Sequence, residues 1–417
     1  MVKLDYRKII IIERIGIIMV ILVVNAGSSS LKYQLLNMEN EEVLAKGNCD
    51  RIGIDGYISH KTHEGKSIES ESNFPTHTEA FAKIVEVLTT GETAVLKSLD
   101  EVAAVGHRVV HGAELFSKTM IATDEIIQKI DDLKELAPVH NHPHALALWA
   151  CKKILPEGVP QAVVFDTAFH QTIPQKAYMF GLPYEDYEEL HVRKYGFHGT
   201  SHRYVASALA NAMGRDLKDL KIVSCHLGNG SSITAIDGGR SVDTSMGFTP
   251  LDGIVMGTRT GAIDASAALY VQNKRGLTTA QMNDYMNKKS GFLGLSGISS
   301  DNREISAAAK NGDKRAALTS QMLRYHIKKY IGAYAAVMNG LDAVLFTGGI
   351  GENDSGVRAD VCTDMEFLGI KLDGERNSVR GELIKISADD SKTQVWVVPT
   401  NEELLIARDT LALVKNG

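Results

Sequence analysis

The chain has 417 residues, 44 % hydrophobic and 23 % charged, with a net charge of −6. That length exceeds what one core usually holds and predicts two domains of an ordinary soluble globular enzyme. The acidic balance favours neither nucleic acid nor an anionic membrane as partner. Four scattered cysteines (Cys49, Cys151, Cys225, Cys362) with no Cys-x-x-Cys pair argue against a disulfide framework or structural zinc and fit a reducing cytoplasm.

Residues 1–18 begin like a charged n-region followed by an apolar h-region, but Glu13 and Arg14 interrupt the run. From 15 to 24 only about ten apolar or Gly residues continue, half of a membrane span, and no small-residue cleavage site follows. The segment reads as an N-terminal extension, with the first domain starting at Met19. Residues 20–36 are a β-branched run, a turn of small residues (Ala26-Gly27-Ser28-Ser29-Ser30) and a second apolar run, with Asn25 where the first strand ends. Such a turn lets backbone N–H groups and hydroxyls converge on an anion. Strands joined by turns fill 20–60. Phe81, Ile84, Val85 and Leu88 at helical spacing predict a helix over 79–90. A strand over 101–110 ends in Gly106-His107-Arg108-Val109-Val110-His111-Gly112. A helix over 124–136, N-capped by Asp124, leads to a loop at 137–144 and a further helix through Trp149, and a short buried strand over 161–165 ends at Asp166.

The second half repeats the plan. A helix covers 202–213, and a hairpin covers 221–236 about the turn Gly228-Asn229-Gly230-Ser231-Ser232. A long helix spans 316–339, and a strand over 341–346 runs into the turn Gly348-Gly349-Ile350-Gly351-Glu352-Asn353. The last strand is 394–398, after which Pro399-Thr400-Asn401-Glu402-Glu403 opens the terminal helix. This alternation predicts α/β layers with mixed sheets, and two turns of small residues, each inside a β-hairpin, predict a duplicated fold that holds a nucleotide between its halves.

Arg108 and Arg259 (in Met256-Gly257-Thr258-Arg259) sit among glycines, where a planar fork suits carboxylate or phosphoryl oxygens; a buried ion pair is the alternative for each. Asn25, Asp166 and Glu402 end strands or begin helices, and nucleotide-bound Mg²⁺ takes one or two carboxylates with waters and phosphates. Glu402 reads equally as a first-turn carboxylate favoured by the helix dipole. The 348–353 turn has neither the Gly-x-Gly-x-x-Gly spacing nor a Walker Gly-Lys-Ser/Thr. His140, His142 and His144 alternate, but Pro143 and the loop context argue against their convergence on one metal. His198, between Phe197 and Gly199 just before a helix, is placed to donate to an anion; a structural histidine is the alternative.

From 19 to near the C-terminus, one ordered series of motifs runs through the chain: 25–30, 106–112, 165–170, 195–202, 226–232, 246–251, 256–259, 348–353 and 399–403. In that order they resemble the acetate kinase (acetokinase) family of the acetate and sugar kinase, heat-shock 70 and actin superfamily. The resemblance implies duplicated ribonuclease-H-like, actin-like ATPase domains with the active site in the interdomain cleft. Domain one is 19–166, completed by the helix at about 404–417, and domain two is 167–403, carrying most of the nucleotide site. It further implies a cytoplasmic homodimer that transfers phosphoryl between ATP and acetate, giving ADP and acetyl phosphate, with Mg²⁺ or, in its place, Mn²⁺. Neither nucleic acid nor a membrane is a partner.

Carried over by position, Asp166 is the catalytic aspartate, acting through the metal or on acetate. Arg108 and Arg259 grip acetate and the transferring phosphoryl, His198 donates to it, and His140 is a further active-site histidine. Asn25 and Glu402 lie at the metal. Lys32, His226, Asn229, Gly230, Asp301, Arg303, Gly349, Ile350, Gly351 and Asn353 fall at the nucleotide, and Val110, Val139, Phe197 and Pro250 around the acetate methyl. Val139 stands where leucine is common and His142 where proline is frequent; the extension has no counterpart. Acetate is already ionised at pH 7, so the expected difficulty is bringing one anion to another, which arginines and Mg²⁺ solve. A propionate or butyrate kinase on the same scaffold is the alternative. An actin- or chaperone-like ATPase module is the remote one, and it would need a further binding domain or polymer surface.

Overall fold

The computed structural model describes residues 19–137 and 140–416, so the readings placed on residues 1–18 and on Val139 lie outside the described residues. The chain divides into two compact units. One runs to Ala168 and takes in the chain from Asn401 on; the other is Phe169–Thr400.

The first unit is built on eight strands: β1 (Val20–Ala26), β2 (Ser30–Asn37), β3 (Glu42–Asp50), β4 (Tyr57–Thr62), β5 (Ser67–Glu71), β6 (Val102–Val109), β7 (Met120–Ile121) and β8 (Gln161–Phe165). Their order is β5-β4-β3-β2-β1-β6-β8-β7. β1 to β5 form an antiparallel meander, β6 runs parallel to β1, β8 parallel to β6, and β7 antiparallel to β8. β8 is buried at every position, as expected of a parallel strand covered on both faces. On one face Leu22, Val24 and Val105 pack with Phe81 and Ile84 of the helix His77–Thr89 and with Ala147 and Cys151 of the helix Asn141–Ile154. The next residue, Gly106, points to the opposite face. There the terminal helix Glu402–Asn416 lies so close that a Cβ at Gly106 would meet Thr410 Oγ1 at 2.4 Å.

The second unit has six strands: β9 (Lys221–Leu227), β10 (Ser231–Asp237), β11 (Arg240–Thr244), β12 (Ala343–Thr347), β13 (Ile384–Lys385) and β14 (Gln394–Val397), ordered β11-β10-β9-β12-β14-β13. β9, β10 and β11 are antiparallel, β12 and β14 continue in parallel, and β13 closes antiparallel. This is the order and sense of β3-β2-β1-β6-β8-β7, so the duplication is real and β4 and β5 are additions to the first copy. Alternate residues of these strands face two cores. Val223 and Cys225 meet Leu323, Ile327 and Ile331 of the helix Lys314–Val337, while Ile222 and Leu345 meet Val205 and Leu209 of the helix Gly199–Met213.

Several local expectations are corrected. Thr123, not Asp124, caps the helix Asp124–Asp132, its side chain accepting from Ile126 N. The segment 141–144, read as loop, is already helix: Pro143 falls in the first turn, where a missing N–H breaks no helical bond. The helix expected from 202 begins at Gly199. Gly348–Asn353 is a short helix instead of an open turn, because Glu352 Oε1 accepts from Gly348 N at 2.8 Å and Arg358 Nη1 donates to Gly351 O at 2.8 Å. Residues 401–403 belong to the first unit, not the second. Asn401 Oδ1 caps the terminal helix by accepting from Leu404 N at 3.0 Å, and that helix packs on β1, β6 and β8. No described helix is long and apolar enough to cross a membrane.

Candidate active site

In the first unit β6 and β8 run side by side, with Arg108 opposite Val164 and Val109 opposite Phe165, so their ends deliver Arg108 and Asp166 to one place. Arg108 Nε donates to Asp166 Oδ1 at 2.9 Å and Nη2 to Oδ2 at 2.6 Å, a bidentate fork. Glu402, at the start of the terminal helix, sets Oε2 3.7 Å from Arg108 Nε. Asp166 is 1 % exposed, Glu402 18 % and Arg108 21 %. One cation therefore faces two carboxylates with little solvent. Burial pushes Glu402 up to about 7; Arg108 opposes this, and the Asp166 and Glu403 charges add to it. Burial works against the Arg108 charge, yet Asp166 and Glu402 outweigh it and hold the guanidinium above its ordinary value.

Asn25, on β1, pairs with Lys32 on β2. Both line a cavity of about 200 Å³ together with Gln34, Lys46 and Glu403. Val110 is buried just beyond β6, and Thr167 Oγ1 accepts from Gly112 N at 3.0 Å, tying the two strand ends together. His140 precedes the helix Asn141–Ile154 and is half-buried. His144 is buried and pushed well below the ordinary histidine value, first by burial and then by the Arg108 and His140 charges. His142 is exposed and meets Asp131 at 2.6 Å. Among the described residues no group of three or more His, Cys, Asp or Glu is arranged to hold a metal ion.

In the second unit the turn 228–230 joins β9 to β10, and Ser231 and Ser232 already belong to β10, both fully buried. His198 takes φ 57° at the head of the helix Gly199–Met213, a left-handed conformation that a non-glycine residue adopts only when its surroundings hold it there. Its ring stacks on His226 at 4.3 Å between centroids, and its Nδ1 lies 2.9 Å from Ser232 Oγ. A Cβ at Gly230 would lie 3.5 Å from both His198 Nε2 and Arg259 Nη1, so the two side chains flank this glycine. Arg259 Nη1 donates to Pro250 O at 2.9 Å. Burial lowers its pKa, and among the described residues it pairs with no carboxylate. Asn229 Oδ1 sits over Gly257, where a Cβ would approach it to 2.8 Å. Phe197 is buried, its carbonyl accepting from His170 Nε2 at 2.9 Å.

The remaining candidates lie along 301–303 and 348–353. Asp301 caps the helix Asn302–Lys310 and forks with Arg303 at 2.6 Å, Arg303 being 86 % exposed. Gly349 faces open space, Ile350 is half-buried, and Asn353 Nδ2 donates to Gly349 O at 3.0 Å. Two features carried no functional reading in the sequence: the Ser232–His202 contact, taken up below, and Arg358. Arg358 is a fully buried arginine whose guanidinium holds Gly351 O, Asn377 and Val379 O and so fixes the 348–353 helix. His202 and Ser232 stand inside quoted motifs; a lone helical arginine gives no signal.

A sequence profile described as the Acetokinase family matches residues 20–408. Acetate kinase of Methanosarcina acetivorans is 53 % identical over 393 residues, 94 % of this chain and 96 % of its own. Among solved structures, Porphyromonas gingivalis acetate kinase superposes with a TM-score of 0.92 at 45 % identity, covering 95 % of this chain and all of its own. A propionate kinase from Francisella tularensis gives 0.88 at 38 %, with the same coverage. The chain belongs to the acetokinase family.

Proposed function

We propose that this kinase transfers the γ-phosphoryl group of ATP to acetate, reversibly and with Mg²⁺, giving ADP and acetyl phosphate. Arg259 carries the reading: a half-buried guanidinium whose charge no carboxylate among the described residues balances, flanking Gly230 with His198. Such a cation is built to take its counter-charge from a reactant. Acetate needs no base, since it is ionised at pH 7. Arg108 and Arg259 neutralise the acceptor carboxylate and the transferring phosphoryl, and His198 adds a donor. Both Asp166 oxygens are engaged by Arg108. This favours a role for Asp166 in holding that arginine and acting at the metal over one in proton abstraction.

The donor set suits Mg²⁺. Glu402 is a half-buried carboxylate beside Asp166 whose ionisation burial resists, and a hard dication asks for one or two such oxygens, with phosphates and water completing the shell. Glu402 and Asn25 would hold it, and it would supply positive charge to offset that of the nucleotide phosphates. Lys32, His226, Asn229, Gly230, Asp301, Arg303, Gly349, Ile350, Gly351 and Asn353 are assigned to the nucleotide. The reading includes a cytoplasmic homodimer, supported by the family resemblance and checked by light scattering on the eluting protein.

Propionate is the second acceptor to test, because the propionate kinase structure aligns closely and one methylene in an apolar pocket discriminates by only about 1–3 kcal/mol. A coupled assay of ADP release with acetate, propionate and butyrate tests the proposal. Acetate-dependent release that exceeds the others is expected, and its absence overturns the reading.

A further inference from the structure

Behind His198 the second unit holds a chain of hydrogen bonds that the transfer reading leaves unused. His198 Nδ1 meets Ser232 Oγ at 2.9 Å, Ser232 Oγ meets His202 Nε2 at 2.8 Å, and His202 Nδ1 meets Ser224 Oγ at 2.8 Å. Ser232, His202 and Ser224 are all 0 % exposed. The two serines stand on adjacent strands, β10 and β9, and the two histidines are four residues apart at the head of one helix. Sheet and helix thus hold the chain from both sides. Burial keeps His202 neutral at ordinary pH.

A hydroxyl has one proton to donate, and a neutral imidazole has one donor and one acceptor nitrogen. If Ser232 donates to His198 Nδ1, His202 must donate Nε2–H to Ser232 and Ser224 must donate to His202 Nδ1. His198 then carries its own proton on Nε2, the edge beside Gly230 and Arg259. Reversing the chain turns every bond and moves that proton to Nδ1, away from the arginine. Neutral His198 therefore offers a donor beside Arg259 in only one of the two directions. We propose that Ser232, and His202 through it, are positioning residues that hold His198 in the Nε2–H tautomer with that edge toward Arg259. The inference rests on the reading of His198 as a donor to the transferring phosphoryl.

The experiment compares Ser232→Ala, His198→Ala and the double variant in the full-length chain. Ser232→Ala is expected to lower kcat about 10- to 100-fold, the scale of a misplaced reacting group, with KM for ATP and acetate within about 3-fold of the parent. That loss should vanish in the His198→Ala background. Side-chain ¹⁵N spectra of the unsubstituted protein at pH 7 should show His198 protonated at Nε2, a readout that survives if Ser232→Ala does not fold. Full activity in Ser232→Ala, an undiminished second loss on top of His198→Ala, or an Nδ1–H tautomer overturns the proposal. Full activity in His198→Ala instead overturns the donor reading and the positioning role with it.

Discussion

The two units repeat one strand order and treat charge in opposite ways. In the first, Arg108 is matched inside the protein: it forks onto Asp166 and faces Glu402, with little solvent to share the field. In the second, Arg259 has a backbone carbonyl for a partner, His198 beside it at Gly230 and, among the described residues, no paired carboxylate. A duplicated scaffold fixes where strand-end residues stand. Whether a cation that faces a reactant also meets carboxylates within its own unit is decided residue by residue. The same substitution in the two units should therefore produce different damage.

Arg259→Ala bears most heavily on this contrast. It should lower kcat by about 10³–10⁵, the range for an arginine that stabilises a transferring phosphoryl. The KM for ATP should rise far less, and Tm should stay within about 2 °C because no ion pair is lost. Near-normal kcat in steady-state assays would remove Arg259 from this role. Arg108→Ala should damage the fold as well as the chemistry, since it leaves Asp166 buried without its partner. About 3–5 kcal/mol of stability should go, read as a lower urea midpoint, and an unchanged midpoint would break the comparison.

A pH-linked effect is common to both units. Burial lowers His107 in the first and His170 in the second to about 4, below the unfolded value of about 6.5. Between these values the unfolded chain binds protons that the folded chain does not. Their contribution is thus fully present above about pH 6.5 and lost as pH falls toward 4, at about 1.4 kcal/mol per pH unit for each histidine. A Tm that stays flat from pH 7 to 4.5 would contradict this. The smallest effect concerns the acceptor's tail: kcat/KM for propionate should fall about 10- to 200-fold below acetate, because the arginines read the carboxylate and not the methyl. Equal values in the coupled assay would move the chain toward a broader acceptor range.

The sheets were legible because buried strands read as apolar runs and the turns at 26–30 and 228–230 are rich in glycine, serine and asparagine. The candidates Arg108, Asp166 and Glu402 stood out through motif position. Their mutual pairing did not, because it depends on β6 and β8 lying side by side with the terminal helix across them. The place of Glu402 in the first unit goes with Asn401 as the cap of the terminal helix, a contact that the boundary at 403 implied by the resemblance does not take in. Gly348–Asn353 read as a turn because adjacent glycines depress helix propensity. The contacts that make it a helix come from Glu352 within it and from Arg358 beyond it. The His198–Ser232–His202 chain joins a helix to a strand thirty residues away, and no local pattern encodes it.

The central claim is that acetate, already an anion, attacks the γ-phosphorus directly while the chain supplies cations and donors. The rival is a covalent phosphoenzyme on Glu402, the carboxylate that burial pushes up to about 7. Stereochemistry at a chiral γ-phosphorus decides between them. A single in-line displacement predicts inversion in the acetyl phosphate formed, and retention, the signature of two displacements, would contradict it.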